Sequence, residues 1–517
     1  MVSFPILVTG ATGYVGGRLV PFLAKNGHGV RAMGRSLDKL ACRPWASHAN
    51  VKPIQGDVLD IASLRQALKG CTTAYYLIHS MEQGNDDFAA MDRKGAVNFA
   101  EAAAAEGVER IIYLSGLLPK NSEDDPTLSK HLRSRAEVAT LLGQTQIPVT
   151  TLKAAQILGA GSASFEILRY LVDRLPIMLT PRWVRTLTQP ISISDVLGYL
   201  KGCLDNEQTI GESFDIGGPD VVSYGHLFHI YSKAAGLRKR SIVPVPFLTP
   251  WLSSHWISLI TPLPAALAKP LILGLKNSVV CHDHRIRELI PLNLMDCRTA
   301  MDRALNKVAQ HSVDTCWSDA GTMHAPEWMT CGDPEYSQGK IQELSHVIRI
   351  KASREDVWRT VKSIGGENGW YWGNFLWKLR GWMDTLSGGV GLRRGRRDPE
   401  ELFVGDALDF WRVLSIKEQE ELQLVAEMKV PGEAMLRFTL SEPEPGVTDL
   451  VQTSRFLPRG LYGISYWYMT YPPHILVFRG MLKSIATRLN APILHGPAKL
   501  NPKKQDSCAL ASKTPSE

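Results

Sequence analysis

The segment that most constrains this chain is Ile6-Leu7-Val8-Thr9-Gly10-Ala11-Thr12-Gly13-Tyr14-Val15-Gly16-Gly17, an apolar run that enters a glycine-rich turn. A helix-forming stretch over residues 15–26 follows, and after it a second strand-like run, residues 28–33. Strand, glycine turn, helix and strand in this order suit a dinucleotide. Glycines let the backbone turn tightly and approach a pyrophosphate, and N–H groups at the helix start hold its negative charge. A glycine triplet alone would also fit an ordinary turn or helix cap. Its place between a strand and a helix is what points to nucleotide binding.

A site that prefers NAD sets an Asp or Glu about 20 residues after the glycines, against the ribose 2′-hydroxyl. Here no Asp or Glu precedes Asp38, and the second strand ends in Arg31-Ala32-Met33-Gly34-Arg35-Ser36. A guanidinium there suits the 2′-phosphate of NADP(H), and such a charge-assisted bond contributes roughly 1.5–3 kcal/mol. The sequence therefore favours NADP(H) over NAD(H), with Arg35 the first contact and Arg31 the second. A solvated arginine at a strand end is the plain alternative.

With 517 residues the chain exceeds one ordinary core, so two or three domains are expected. A formal charge of +7 is modest at this length, and without a basic helix or repeated basic patch it gives no argument for nucleic acid. The 8 cysteines form no C-x-x-C pair, which speaks against a disulfide framework and against zinc. Cys281-His282-Asp283-His284 is the one dense group of potential ligands, and no metal is assigned to it. The first residues lack the charged and apolar regions of a signal peptide, so a cytoplasmic protein is expected. Residues 241–268 and 460–478 contain no Lys, Arg, Asp or Glu, yet prolines interrupt both. A spanning helix needs about 20 mainly apolar residues in one run. Lining an apolar pocket, or peripheral contact with a membrane, suits these segments better.

Strand-like and helix-like blocks alternate through the first 200 residues: strands over 51–55, 73–79, 110–114 and 149–152, and helices over 61–68, 92–106 and 130–142. That alternation implies an α/β fold, a doubly wound parallel sheet covered on both faces. Ligands of such sheets sit at the carboxyl ends of the strands, where Asp57, His79 and Ser115 fall. The alternation continues past a helix cap at Ser192 to Phe214-Asp215-Ile216-Gly217-Gly218. Residues 1–315 are read as this domain and 316–340, without periodicity, as a linker. Residues 341–495 form a second domain: a strand over 346–351, a capped helix from Ser353, strands over 410–416, 421–429, 435–440 and 450–456, and a helix over 474–489. That order is an α+β helix grip around a cavity. Residues 496–517, rich in Lys, Pro and Ser, are expected to be a disordered tail.

The first 300 residues resemble the atypical short-chain dehydrogenase/reductases, on Thr9-Gly10-Ala11-Thr12-Gly13-Tyr14-Val15-Gly16, Gly56-Asp57, Tyr113-Leu114-Ser115-Gly116 and residues 129–137. The branch most similar holds NmrA-like redox sensors and the Rossmann-type accessory subunit of respiratory complex I. The resemblance implies a Rossmann-type domain with the pyrophosphate on the glycine turn, Asp57 and Val58 flanking adenine, and His79 and Ser80 on the nicotinamide side. The cofactor set is then Thr9, Gly10, Thr12, Gly13, Tyr14, Val15, Gly16, Arg35, Ser36, Asp57, Val58, His79 and Ser80. The second domain resembles a START-like domain of unknown function fused to such reductases, on residues 365–371, 380–382, 388–397 and 405–412.

The resemblance also implies a catalytic Ser, Tyr and Lys. Ser115 stands at the Ser position, but no Tyr occurs between Tyr113 and Tyr170. His131 takes the Tyr position and Arg135 the Lys position, one helical turn apart on one face. Histidine serves as a general acid, and a neighbouring cation lowers its pKa; Arg135 could equally clamp a phosphate or ribose. Rings crowd the second domain at Trp370, Tyr371, Trp372, Phe375, Trp377 and Trp382, and again between Tyr462 and Tyr471. A cavity for a hydrophobic small molecule, an interface with the other domain or a membrane, and an ordinary aromatic core all fit. The arginines of residues 393–397 have Asp406, Asp409 and Glu427 as candidate partners. The resulting expectation is an NADP(H)-binding oxidoreductase acting on a hydrophobic carbonyl or quinone-like compound, with a non-catalytic NADP(H) sensor or assembly factor as its rival.

Overall fold

In a computed structural model the chain forms two compact units, Met1–Gly321 and Thr322–Glu517. The structure describes residues 4–79, 88–119, 129–180, 182–245, 277–309, 315, 341–387, 389–392 and 395–500. The interdomain stretch 316–340, Ser80 and most of residues 241–268 fall outside these.

The first unit runs β1 (Ile6–Val8), α1 (Gly16–Lys25), β2 (Val30–Gly34), α2 (Leu37–Ala41), β3 (Val51–Gln55), α3 (Ile61–Leu68), β4 (Thr73–Tyr76), α4 (Phe88–Ala105), β5 (Arg110–Gly116), α5 (Lys130–Leu142) and β6 (Val149–Ala154), then α6 (Ile193–Asp205) and β7 (Ser213–Ile216). Its sheet has the order β7-β6-β5-β4-β1-β2-β3, and every pairing is parallel. The period of two along each strand makes two cores. Ile6, Val8, Tyr75, Ile112 and Leu114 pack on one face with Leu19, Leu23 and Val196. Leu7, Ala74, Tyr76, Ile111 and Tyr113 pack on the other with Leu64, Phe99 and Val138. Helices on both faces of a parallel sheet make this unit Rossmann-like. The strand order reverses between β1 and β4, which opens a crevice at their carboxyl ends.

The second unit runs β8 (Gln342–Ile350), α7 (Arg354–Lys362), α8 (Asn374–Leu386), β9 (Ala407–Leu408), β10 (Trp411–Lys417), β11 (Glu421–Ala426), β12 (Gly432–Glu444), β13 (Val447–Pro458), α9 (Gly460–Arg488) and β14 (Ile493–Leu500). The seven strands form an antiparallel sheet of order β9-β10-β11-β12-β13-β8-β14. Leu344, Ile348, Phe438 and Leu450 on one sheet face meet Val357 and Val361 of α7 and Phe478, Met481 and Ile485 of α9.

Two expectations need correction here. Residues 496–500, taken as tail, pair with β8 as part of the edge strand β14; Pro497 is tolerated because an edge strand has unpaired positions. The long helix starts at Gly460 and passes through Pro472 and Pro473 instead of beginning at residue 474. Proline removes the N–H that would bond the carbonyl four residues earlier. Those carbonyls belong to Tyr468 and Met469, both exposed residues, a position where solvent can supply the missing donors.

The buried rings of the second unit stack on one another. Trp370 lies 4.6 Å from Trp377, centroid to centroid, with 21° between planes, and its Nε1 donates to Asp409 at 2.8 Å. Of the arginine run's candidate partners, Asp406 takes Arg397 at 3.1 Å. Asp409 serves Trp370 instead, and Glu427 pairs with Arg412 at 2.7 Å. Trp370→Ala is expected to destabilise the second unit by about 3–5 kcal/mol, since it opens a cavity and strips a buried carboxylate of a donor. Urea unfolding followed by tryptophan fluorescence measures it.

Candidate functional site

Thr9 follows β1, and its hydroxyl donates to the Tyr75 carbonyl at 2.9 Å and accepts from the Leu77 N–H at 3.0 Å. Thr9 is fully buried, so it acts as a tie between β1 and β4 and not as an open contact. The turn then places Gly10 at φ 62°, a left-handed conformation that suits glycine. A Cβ there would stand 2.9 Å from the Leu77 carbonyl oxygen, and one on Gly16 would collide with the Gly10 carbonyl. No side chain caps α1 and no acid lies in its first turn. Gly10, Thr12, Gly13, Tyr14, Val15 and Gly16 thus form a cradle closed to side chains and open to an acceptor on the helix axis, which fits a pyrophosphate.

Beyond β2 the two arginines part. Arg31 donates to the carbonyls of Ala67 and Lys69, at 2.7 and 2.9 Å, and so closes the end of α3. It is not a second cofactor contact. Arg35 is exposed at the strand end, where Gln55 Nε2 donates to its carbonyl at 3.2 Å. Ser36 caps α2 by accepting from the Lys39 N–H at 3.3 Å. Sequence reasoning missed Arg43, a buried guanidinium that donates to the Thr12 carbonyl at 3.4 Å and brings a cation to the glycine turn. Its only signal was the absence of any acid before Asp38. Asp57 lies two residues past β3, and its carboxylate accepts from the Leu59 N–H at 2.9 Å. Val58 is buried, with its carbonyl held by Asn98 at 2.9 Å.

At the carboxyl ends of β4 and β5 the structure joins His79 and His131 directly. Asp92 Oδ2 meets His79 Nδ1 at 2.9 Å, and His79 Nε2 meets His131 Nδ1 at 2.9 Å. Ser134 Oγ donates to the same Asp92 oxygen at 3.0 Å. Asp92 is the residue the sequence did not disclose. It sits on α4, 13 positions after His79, and nothing local marks it as buried. With Asp92 ionised and both rings neutral, one tautomer set satisfies the chain. His79 donates Nδ1–H to Asp92, His131 donates Nδ1–H to His79, and His131 Nε2 is left as a lone pair.

Both imidazoles are held below their ordinary pKa. Burial is the main cause for His79, opposed by its bond to Asp92. For His131 the shift is large: burial first, then His79, then the Arg135 cation. Arg135 itself does not reach outward as a lysine substitute. Its guanidinium donates to the Leu114 carbonyl and lies 5.2 Å above the Tyr113 ring. The Arg135 carbonyl accepts from Tyr113 Oη at 3.1 Å and from Ser115 Oγ at 3.3 Å. The structure therefore brings Ser115, His131, Arg135 and His79 together, with Arg135 as a clamp between β5 and α5. Asp283, of the Cys-His-Asp-His run, pairs with Arg285 at 2.9 Å. Among the described residues no three His, Cys, Asp or Glu side chains are grouped to hold a metal.

Comparison with known proteins agrees with this cradle. Residues 10–167 match the NAD(P)H-binding family, and residues 344–481 match the family described as a protein of unknown function, DUF2867. The chain is 26% identical over 255 residues to NADH dehydrogenase [ubiquinone] 1 alpha subcomplex subunit 9, mitochondrial, of Rattus norvegicus, across 47% of this chain. It spans 65% of that subunit, just under two thirds of its length. It is 29% identical over 220 residues to the uncharacterized sugar epimerase YhfK of Bacillus subtilis, covering 41% of this chain and 92% of the epimerase. Among solved structures, the Citrobacter triphenylmethane reductase overlays 59% of this chain and all of its own with a TM-score of 0.48 at 19% identity. The Escherichia coli NADPH-dependent quinone oxidoreductase QOR2 overlays 58% of this chain with a TM-score of 0.46 at 18% identity. The sheet order above, not these overlays, defines the fold.

Proposed function

We propose that the chain is an NADP(H)-dependent oxidoreductase acting on a hydrophobic carbonyl or quinone-like molecule, with His131 as its proton-transfer group. The observation that carries this reading is the Asp92–His79–His131 chain at the carboxyl edge of β4 and β5, beside the glycine cradle. The dinucleotide, held by the glycine turn and by Arg35 and Arg43, supplies or accepts a hydride when bound. His131 handles the proton. Its bare Nε2 takes the proton of an alcohol; in the reverse direction a proton gained from solvent sits on Nε2 and passes to the carbonyl oxygen, which restores the resting chain. Asp92 and His79 keep the ring in the tautomer that leaves Nε2 available.

We read the second unit as a START-like grip that holds the hydrophobic ligand. His346 and Gln452 support this. They stand opposite each other on β8 and β13, on the face that meets α9, and both are buried. Neither amide atom of Gln452, nor Nδ1 of His346, has a hydrogen-bond partner among the described residues. Unmet buried groups cost roughly 1–3 kcal/mol each, and the polar group of an otherwise apolar ligand would meet them. The rival reading is a sensor that binds NADP(H) without turnover. It draws on Arg135, whose guanidinium is engaged on Leu114 and Tyr113. NADPH consumption across a panel of carbonyls and quinones, in wild type and His131→Ala, separates the two readings: dinucleotide bound but never oxidised favours the sensor.

Cofactor choice has its own test. Arg35→Asp is expected to weaken NADPH binding roughly ten- to a hundredfold, as one charge-assisted bond warrants, and to favour NADH. Calorimetry with both coenzymes checks it; equal affinities in wild type and variant reject Arg35 as the phosphate contact.

A further inference from the structure

Two helices of the second unit present apolar stripes to solvent. On α9, Trp467, Phe478, Met481 and Ile485 turn into the core, while Leu461 is 83% exposed and Met469 79%, with Tyr462, Tyr468 and Leu476 also exposed. On α8, Trp377, Gly381 and Asp384 turn inward, while Phe375 is 71% and Trp382 60% exposed, together with Leu379, Met383 and Leu386. Positions 375, 379, 382 and 386 share one face of a helix. Trp372, two residues before α8, packs on α9 at Gly480, where an added Cβ would meet its ring, so the start of α8 lies against α9.

The charges that the two helices carry outside the core have one sign. Lys378 and Arg380 lie on α8, and Arg479, Lys483 and Arg488 on α9, with Arg459 at its start. The one carboxylate in either helix, Asp384, is fully buried and accepts from the N–H groups of Gly391 and Lys429. Glu433 of β12, half-buried, pairs with Arg459 at 3.4 Å. Nineteen residues without charge, 460–478, separate Arg459 from Arg479.

We propose that α8 and α9 form a docking surface for an anionic lipid bilayer, lying along its headgroup region with the apolar stripes inward. Tyr462, Tyr468 and Trp382 carry polar tips on apolar bodies, the side-chain type that favours a membrane–water boundary. The cations at the rim match acidic lipid heads, and their stems let the charge stay in the polar layer. A second copy seated on this face would set cation against cation, which charge complementarity disfavours. The uncharged residues 246–268 of the same chain bring no carboxylate to it either. No helix of the described residues is long and apolar enough to cross a membrane, so contact along the surface is the mode that fits. This inference does not depend on the dinucleotide chemistry.

The test is co-sedimentation of the full chain with phosphatidylcholine vesicles, with and without phosphatidylserine, at low and high salt. Binding is expected to the anionic vesicles only and to weaken with salt. Lys378→Glu with Arg479→Glu should lower it roughly tenfold or more, and Trp382→Asp with Met469→Asp should abolish it. All four sites are on the surface, so NADPH affinity and urea midpoints matching wild type show that the variants remain folded. Equal binding to both vesicle types, or variants that bind as wild type does, overturn the proposal. So does a wild-type dimer that binds no vesicles and that the Asp variant converts to monomer.

Discussion

Asp92→Asn is expected to lower NADPH-dependent turnover by roughly a hundredfold or more, and His131→Ala by about 10²–10⁴-fold, the range of a positioned acid–base group. Dinucleotide affinity should not change in either, because neither side chain is among the groups proposed to hold the pyrophosphate or the 2′-phosphate. Asp92 acts through His79, so it is a positioning residue, and its signature lies in the pH profile. The His131 imidazole is held well below its ordinary range by burial, by His79 and by Arg135, with Asp92 the opposing influence. At pH 7 Nε2 is therefore bare. The oxidative direction needs that form, so its rate should be flat from neutral pH upward and fall only well into acid. The reductive direction needs the protonated form, so its rate should rise as pH falls. Removing Asp92 removes the charge that favours protonation, so both profiles should move further to the acid side. An Asp92→Asn enzyme with wild-type rates and an unmoved profile would falsify the relay.

The sheet of the first unit was open to reading because its local signals agree. β3, α3 and α5 fall on residues 51–55, 61–68 and 130–142, where the alternation of blocks places them, and Asp60 and Ser129 cap the two helices. The cradle was readable for the same reason, since each glycine answers a local demand of turn or helix packing. The site's electrostatics were not. Asp92 reaches His79 from α4, across a contact that no period of the sequence encodes. Arg31 and Arg35 look alike in the chain, yet their β-strand places differ: one side chain drops onto the end of α3, the other clears the edge. In the second unit, Pro472-Pro473 reads as a helix stop from local rules, but an exposed helix face lets water satisfy the carbonyls that proline orphans. The edge strand β14 contains Pro497 and ends beside a lysine-rich stretch, and only its pairing with β8 makes it a strand. Tertiary context decided each of these.

Gly16→Ala is expected to abolish dinucleotide binding, weakening it by about a hundredfold or more, as a misplacement near 1 Å does at a preorganised site. The added Cβ would collide with the Gly10 carbonyl oxygen and stand 3.2 Å from Ala11 Cα, both backbone atoms of the turn itself. Neither can rotate aside as a flexible side chain would. Relief requires α1 to slide away from the turn or the turn to flatten, and either motion spoils the N–H groups aimed at the pyrophosphate. Gly27→Ala provides the control. Gly27 has a positive φ, 87°, which Gly16 does not, and a Cβ there meets no atom within 4 Å. It should therefore cost stability, roughly 1 kcal/mol, and leave NADPH binding as in wild type. Calorimetry on both variants, with urea unfolding alongside, separates a broken cradle from a merely strained fold. If Gly16→Ala binds NADPH and NADH as wild type does, the glycine turn is not what grips the dinucleotide, and the assignment of Arg35, Arg43 and His131 to its two ends goes with it.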